Sequence, residues 1–290
     1  MRRVFIFFVA TVLLGGGGAR SQDDPLVFTS SVEMVRLDVA VTHNGRAVKD
    51  LNGRHFKVKD NGVLQQVEIV GHVEKPVHAV LALDNSGSLA GDRMARLKIA
   101  AHALLDVLGP DDAVSLLTFS SRLELKAGPG APREQVHAAI EATEARLSTS
   151  LYDATFAALT VADPTLGRPV VLVFTDGQDV GSWLRPGQVL HAARSSDLVS
   201  HAVVSGQAGS ETLFLEELAR ATGGEVWKVE HLELEDAFLQ ALEEFRSRYT
   251  LQYAVQGDDQ ETWHDIDVRV RIPGARVLVR EGYLRRATLP

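Results

Sequence analysis

Five oxygen-bearing side chains lie on three short polar segments of the sequence. Asp84-Asn85-Ser86-Gly87-Ser88 carries a carboxylate and two hydroxyls at alternate positions. Thr149 lies in the second segment, and Asp176 lies in the third. Carboxylate and hydroxyl oxygens are hard ligands, which suit Mg²⁺, Mn²⁺ or Ca²⁺ and suit Zn²⁺ and copper poorly. The candidate metal ligands are therefore Asp84, Ser86, Ser88, Thr149 and Asp176.

The charge of this set predicts what the bound ion would do. Only two of the five candidate ligands are carboxylates, so a divalent cation held by them keeps net positive character. We expect one coordination position to be open or occupied by water. Such an ion is a receptor for a carboxylate from outside, which predicts a protein partner that presents an acidic residue.

Two apolar runs position the acids. Residues 77–83 and 169–175 are nearly continuous apolar stretches, which are typical of strands buried on both faces of a sheet. Asp84 and Asp176 come directly after them. In open α/β sheets, ligands bind outside the carboxyl ends of the strands, so we expect the polar segments to meet at one edge.

The rest of the chain divides by rhythm. Residues 76–232 alternate strand-like and helix-like stretches, which predicts a doubly wound, mostly parallel α/β sheet. Residues 28–75 and 249–287 alternate apolar and polar positions, as antiparallel strands do, and a connecting helix is predicted over 233–248. Each flanking segment is small for a stable sheet. We therefore expect the two segments to pair in one β-sandwich into which the α/β domain is inserted.

The polar segments together resemble a known site. Asp-x-Ser-x-Ser at 84–88, Thr149 shortly before Leu-Tyr-Asp at 151–153, and Thr-Asp-Gly at 175–177 resemble the metal-ion-dependent adhesion site of von Willebrand factor type A domains. The resemblance covers about residues 76–232, and all five ligand positions match. Residues 111–114 and 118–120 also look like the second strand of that family and its loop.

This resemblance implies a Rossmann-like fold and a role in binding or adhesion rather than catalysis. In the family, the hydroxyls bind the cation directly, and the acids bind it directly or through water. It implies the same roles for Ser86, Ser88 and Thr149, and for Asp84 and Asp176. The flanking β segments resemble those of exported bacterial proteins of this family.

Other interpretations of these residues stay open. A haloacid-dehalogenase-like phosphotransferase also binds Mg²⁺ beside an Asp after its first strand, but it needs a second carboxylate where this chain has Ser86. A structural module with an idle metal site is another alternative. In a further alternative, residues 84–87 are no more than a turn with helix-capping residues, and Thr149 is no more than a helix cap. Asp92, Asp153 and Asp179 are expected to be solvated or to support the ligands, and Trp183 to line the rim or to be a buried anchor.

Composition narrows the function further. The chain has 290 residues, a formal net charge of −8 and no cysteine, and it has no basic cluster. Nucleic acid is therefore not an expected partner, and thiol catalysis, thiolate metal sites and disulfides are excluded. The 10 histidines show no His-x-x-x-His spacing, and we expect them to be structural or exposed.

The first 21 residues have the layout of a cleavable signal peptide. Arg2 and Arg3 precede an apolar run over 4–14, and Ala19-Arg20-Ser21 offers small residues at a cleavage site. The run is too short to span a membrane. We expect export to a periplasm or the cell exterior, without membrane insertion after cleavage.

Overall fold

The computed structural model describes residues 33–69, 75–176, 178–205, 209–229, 233–255 and 262–285. The predicted signal peptide lies outside these residues. All the described residues belong to one compact unit. None of the helices found in these ranges is long and apolar enough to cross a membrane.

The first part of the unit consists of β-strands. They are β1 (Glu33–His43), β2 (Arg46–Ala47), β3 (Phe56–Asp60), β4 (Val63–Gln65) and β5 (Glu68–Ile69). Asn44 and Gly45 join β1 to β2 with φ angles of 53° and 74°, the left-handed conformation that two-residue hairpins require. The Asn-Gly sequence at 44–45 predicts a turn, and in the structure this turn is a hairpin.

Strands and helices alternate in the middle of the chain. The strands are β6 (Val77–Asp84), β7 (Ala113–Phe119), β8 (Leu123–Ala127), β9 (Arg168–Thr175), β10 (Val199–Val204) and β11 (Val226–Lys228). The helices are α1 (Asp92–Asp106), α2 (Arg133–Glu141), α3 (Leu151–Val161), α4 (Pro186–Arg194), α5 (Ser210–Thr222) and α6 (Leu234–Arg246). The strands form one sheet in the order β11-β10-β9-β6-β7-β8. Its pairs are parallel except for β8, which runs antiparallel at the edge.

Both faces of this sheet are covered by helices. On one face, α1, α2 and α6 pack against Val77, Ala79, Leu81 and Leu83 of β6. On the other face, α3, α4 and α5 pack against Val80 and Ala82 of the same strand. Because alternate side chains of a strand point to opposite faces, a strand covered on both sides needs an unbroken apolar run. This requirement explains the sequence of β6.

The chain ends in four further strands among the described residues. They are β12 (Tyr249–Val255), β13 (Thr262–Val270), β14 (Arg276–Leu278) and β15 (Gly282–Arg285). One antiparallel sheet has the order β14-β1-β12-β5, with β2 beside β1, and another has the order β15-β13-β3-β4. Each sheet therefore contains strands from both ends of the chain.

The two antiparallel sheets share one apolar core. Leu37 of β1 is opposite Leu251 of β12, and Val58 of β3 is opposite Val268 of β13; all four belong to one buried cluster. The predicted fold class, an α/β sheet combined with antiparallel sheets, is confirmed. The domain boundaries themselves remain a prediction. The apolar spacing of residues 133–145 predicts a helix over that whole range, but the helix ends earlier, at Glu141.

A buried carboxylate ties the two ends of the chain together. Asp60 of β3 is 4% exposed. Its Oδ2 accepts hydrogen bonds from the hydroxyls of Tyr253 at 2.8 Å and Tyr283 at 2.9 Å. Its Oδ1 lies 2.6 Å from Nδ1 of His264. One N-terminal residue thus satisfies three C-terminal side chains.

Replacing Asp60 should therefore destabilise the sandwich. Asp60→Ala removes the carboxylate that accepts hydrogen bonds from the buried Tyr253 and Tyr283 hydroxyls, and losing a buried hydrogen-bond partner costs about 1–3 kcal/mol. We expect the free energy of unfolding, measured by urea denaturation, to fall by about 1–3 kcal/mol. The matched control is Asp265→Ala, which removes an exposed carboxylate of β13. Equal stability of the two variants would contradict this role for Asp60.

Candidate metal site

Asp84 is the most deeply buried member of the candidate ligand set. It is the last residue of β6 and is 0% exposed. Its Oδ1 accepts a hydrogen bond from the backbone N–H of Ser86 at 2.8 Å, and its Oδ2 accepts one from the Thr175 hydroxyl at 2.7 Å. Burial raises the pKa of Asp84 to about 6, although these two neighbours lower it, and the negative charge of Asp176 adds to the increase.

Hydrogen bonds connect the other charged and hydroxyl groups in a row. The Ser86 and Ser88 hydroxyl oxygens are 3.0 Å apart, and the Ser88 hydroxyl donates to Oδ1 of Asp176 at 2.8 Å. The side chain of Asp176 is buried. The carboxyl ends of β6 and β9, which are neighbours in the sheet, thus bring four of the five candidate ligands together.

Thr149 contacts the loop that follows Asp176 through its backbone. It is buried, and its carbonyl accepts hydrogen bonds from the N–H groups of Val180 and Gly181, both at 3.0 Å. A side chain at position 181 has no room, because a Cβ there would lie 2.7 Å from the Ser150 hydroxyl. The loop before α3 therefore packs directly on the loop that follows Asp176.

A third loop determines where α2 ends. The backbone N–H of Arg146 donates to the carbonyl of Asn85 at 2.7 Å. The Asn85 side chain donates to the carbonyl of Glu144 at 2.8 Å. These tertiary hydrogen bonds hold the residues after Glu141 against the Asp84–Ser88 segment instead of in a further helical turn. The predicted extension of α2 was wrong for this reason.

Asp153 and Asp179 support the loops. Asp153 accepts hydrogen bonds from the backbone N–H groups of Trp183 at 3.0 Å and Leu184 at 2.8 Å. Asp179 accepts one from the N–H of Tyr152 at 3.1 Å. Asp92 is exposed at the first position of α1. These three acids are expected either to be solvated or to support the ligands. Asp153 and Asp179 support the loops that carry the ligands, and Asp92 is exposed to solvent.

Arg93 is a member of the site that the sequence analysis missed. It lies in the first turn of α1 and is half exposed, with Nη1 3.4 Å from Oδ2 of Asp176. The same nitrogen is 3.4 Å from the carbonyl oxygen of Ser88. A basic residue within one helical turn of the first polar segment was the available signal. Thr175 was also overlooked as a partner of Asp84, although it directly precedes Asp176.

Large exposed apolar side chains lie on the loops next to the polar group. Leu147 is 82% exposed, Val180 is 70% exposed and Trp183 is 94% exposed. A Cβ on Gly87 would lie 3.9 Å from Leu147 Cδ2. Val180 and Trp183 belong to the loop that is hydrogen-bonded to Thr149 and Asp153. Trp183 is therefore an exposed residue and not a buried anchor.

The donor atoms of the candidate site determine which cations it can bind. Within the part of the chain that the structure describes, no group of three or more His, Asp or Glu side chains is placed to hold a metal ion. The candidate site has two carboxylates and three hydroxyls, so it offers hard oxygen atoms with little charge. It also lacks a second carboxylate two residues after Asp84, since that position is Ser86.

Comparison with known proteins identifies the fold of this region. Residues 79–178 match the family model of the von Willebrand factor type A domain. No curated protein is significantly similar to the chain in sequence. A solved structure named for von Willebrand factor type A, from Catenulispora acidiphila, has a TM-score of 0.53 and 13% identity, and the match covers 90% of this chain and 75% of that one.

Proximal thread matrix protein 1 from the mussel byssus is also similar. Its TM-score is 0.53 at 17% identity, and the match covers 63% of this chain and 49% of the mussel chain. This chain thus corresponds to about half the length of that protein. A second structure of it, with a TM-score of 0.51, 17% identity and coverage of 63% and 48%, is described as having a zinc-occupied adhesion-site motif.

At these identities the structural matches indicate the fold alone, and the match of residues 79–178 to the family model indicates the family. Domains of this family serve mainly in protein interaction and adhesion. Residues 79–178 are therefore identified as a region of the von Willebrand factor type A kind.

Proposed function

We propose that this protein binds a divalent cation through Asp84, Ser86, Ser88, Thr149 and Asp176 and uses the ion to bind a protein partner. The observation that carries the proposal is the row of hydrogen-bonded oxygen groups that begins at the buried carboxylate of Asp84. A fully buried carboxylate is costly unless a positive charge compensates it. A bound cation supplies that charge.

The chemistry of the donors favours Mg²⁺, with Mn²⁺ or Ca²⁺ as alternatives. Hydroxyl and carboxylate oxygens are the ligands that these hard cations prefer. The zinc described in the mussel protein supports the proposal that such a motif binds a divalent ion. The hydroxyl-rich donor set here favours a harder cation than zinc. Arg93 lies beside Asp176, so its guanidinium shares the neutralisation of that carboxylate.

The proposed partner presents an Asp or Glu side chain to the ion. The charges of two carboxylates and a divalent cation sum to zero, and Arg93 adds one positive charge at the edge of the site. An incoming carboxylate therefore meets a positive centre. Leu147, Val180 and Trp183 add exposed apolar surface on the neighbouring loops, of the kind that marks protein-binding sites. Apolar side chains next to the acid of the partner would cover it.

Export is part of the proposal. It rests on the signal-like sequence of residues 1–21, and it places the binding activity in a periplasm or outside the cell. The two sheets of the sandwich would then support the domain without disulfides, since the chain has no cysteine.

The enzymatic alternative predicts a different result. A haloacid-dehalogenase-like phosphotransferase would hydrolyse p-nitrophenyl phosphate in the presence of Mg²⁺, and activity would disappear in Asp84→Asn. The adhesion-type proposal predicts Mg²⁺ binding without hydrolysis. A structural module with an idle site predicts neither, so a phosphatase assay beside a calorimetric Mg²⁺ titration separates the three.

Mg²⁺ binding should depend on the candidate ligands in proportion to their charge. We expect Asp84→Ala to abolish binding and Ser86→Ala to weaken it about tenfold, which corresponds to about 1.4 kcal/mol. Asp92→Ala is the control, since it removes an exposed acid from the start of α1. Isothermal titration calorimetry measures all three. If Asp84→Ala binds Mg²⁺ as the native protein does, the ion lies elsewhere.

The stability of the metal-free protein should increase when Asp84 is made neutral. The pKa of Asp84 is about 6 in the folded protein and about 3.8 without burial, so ionisation destabilises the fold as pH rises from 3.8 to 6. In EDTA at pH 8, we expect Asp84→Asn to be more stable than the native protein by about 1–3 kcal/mol. Below pH 3.8 the difference should disappear.

Saturating Mg²⁺ should reverse this order, because only the native protein gains binding energy. Urea denaturation at pH 8, with EDTA and with Mg²⁺, gives the four values needed. A lower stability of Asp84→Asn in EDTA would contradict the view that the carboxylate lacks a compensating charge.

Capture of the partner should require both the ion and the exposed apolar side chains of Leu147, Val180 and Trp183. Immobilised native protein should retain a protein from envelope extract in Mg²⁺ and release it in EDTA, since partner and metal enhance each other by linkage. Trp183→Ser should lose the captured protein while keeping its Mg²⁺ affinity. Ile99→Ser, an equally drastic change at an exposed position in the middle of α1, should retain it. Undiminished capture in EDTA would show that the ion is not the binding element.

A further inference from the structure

Two neighbouring helices each carry a histidine followed four residues later by an acid. His102 and Asp106 lie on α1, and His137 and Glu141 lie on α2. Residues four apart face the same side of a helix. His-x-x-x-His spacing concerns two histidines within one helix, so its absence does not bear on a combination that spans two helices.

The four side chains form a crossed arrangement between the helices. Nδ1 of His102 is 2.8 Å from Nδ1 of His137, and the two rings are nearly parallel, with an angle of 11° and centroids 5.0 Å apart. Nε2 of His102 is 2.6 Å from Oε1 of Glu141. Nε2 of His137 is 3.8 Å from Oδ1 of Asp106. Each histidine therefore faces the acid of the opposite helix.

This geometry matches what histidine ligands of a metal require. In protein metal sites, a ligating imidazole usually has a carboxylate or carbonyl at its other nitrogen, which fixes the ring and raises its basicity. Here Glu141 lies at hydrogen-bond distance from Nε2 of His102, whereas Asp106 is 3.8 Å from Nε2 of His137 and pairs with it by charge alone. The two Nδ1 atoms contact each other directly. Lys98 donates to the backbone carbonyl of Glu141, so the carboxylate of Glu141 stays available to His102.

We propose that His102 and His137 form a second cation site, through their Nδ1 atoms, for Zn²⁺ or another metal that prefers imidazole. As the side chains stand, the described residues hold no set of three ready ligands, and the ion would replace the direct contact between the two nitrogens. Zn–N bonds of about 2.0–2.1 Å place two tetrahedral ligands about 3.3 Å apart. The rings therefore need to separate by about 0.5 Å, and water completes the coordination.

The ring positions allow this movement. Both histidine side chains are partly exposed, and the two carboxylates are more exposed still. An ion can reach the nitrogens from solvent without opening the core. Once bound, it would link α1, which carries Arg93, to α2. The inference does not depend on the proposed Mg²⁺ site, because nitrogen ligands and hard oxygen ligands select different metals.

Zn²⁺ alone is the probe for the test. The full chain is titrated with Zn²⁺ at pH 7.5 in an excess of Mg²⁺, so that the oxygen site is filled, and the titration is repeated in Asp84→Ala. We expect one Zn²⁺ ion with micromolar affinity in both proteins. His102→Ala and His137→Ala should each weaken the affinity at least about tenfold, and Glu141→Gln should weaken it by about tenfold or more through loss of the supporting carboxylate.

His191→Ala is the matched control, since His191 is exposed on α4, and it should bind Zn²⁺ as the native protein does. Circular dichroism verifies that each variant is folded, and Zn²⁺ should raise the melting temperature of the native protein but not that of His102→Ala. The proposal is overturned if Zn²⁺ does not bind when the oxygen site is filled with Mg²⁺, or if it binds equally well to His102→Ala and His137→Ala.

Discussion

The ionised carboxylate of Asp84, at the end of a strand covered on both faces, is the constraint on which the candidate site depends. β6 lies in the middle of the sheet with apolar layers above and below it, so Asp84 has lost its water. Two hydrogen bonds, from Ser86 and Thr175, do not offset that loss, and its pKa remains near 6. The surrounding loops supply further oxygen atoms, and the cationic side chain of Arg93 contacts Asp176 instead.

Glu244 is a second buried carboxylate, and its negative charge is compensated by neighbouring side chains. Burial alone would raise the pKa of Glu244 in α6, but Arg248 and His201 outweigh it and hold the pKa at about 2. Arg248 donates to Oε1 of Glu244 at 2.7 Å and to the carbonyl of Gly223 at 2.7 Å. Among the residues that the structure describes, ion pairs therefore form with Glu244 and not with Asp84. This contrast distinguishes a carboxylate that stabilises the fold from one that is suited to an external ion.

Local sequence patterns were sufficient to predict the elements but not the contacts between distant segments. The unbroken apolar run of β6 and the period-two pattern of β12 each follow from which faces are covered, so both strands could be predicted. Arg93, Thr175 and the pair formed by His102 and His137 could not, because their partners lie on other elements. The end of α2 was misplaced for the same reason, since Asn85 and Arg146 make tertiary hydrogen bonds that helix propensity does not include.

The sandwich and the candidate site lie at opposite edges of the parallel sheet. Arg168, the first residue of β9, pairs with Asp38 of β1 at 3.6 Å. Arg280 contacts Asp197, just before β10, and the carbonyl of Arg36. The sandwich thus packs at the starts of the parallel strands, whereas Asp84 and Asp176 lie at their carboxyl ends. The sandwich and the candidate site therefore lie at opposite edges of the parallel sheet, so a partner held at the carboxyl edge, as proposed, would approach from the side away from the sandwich.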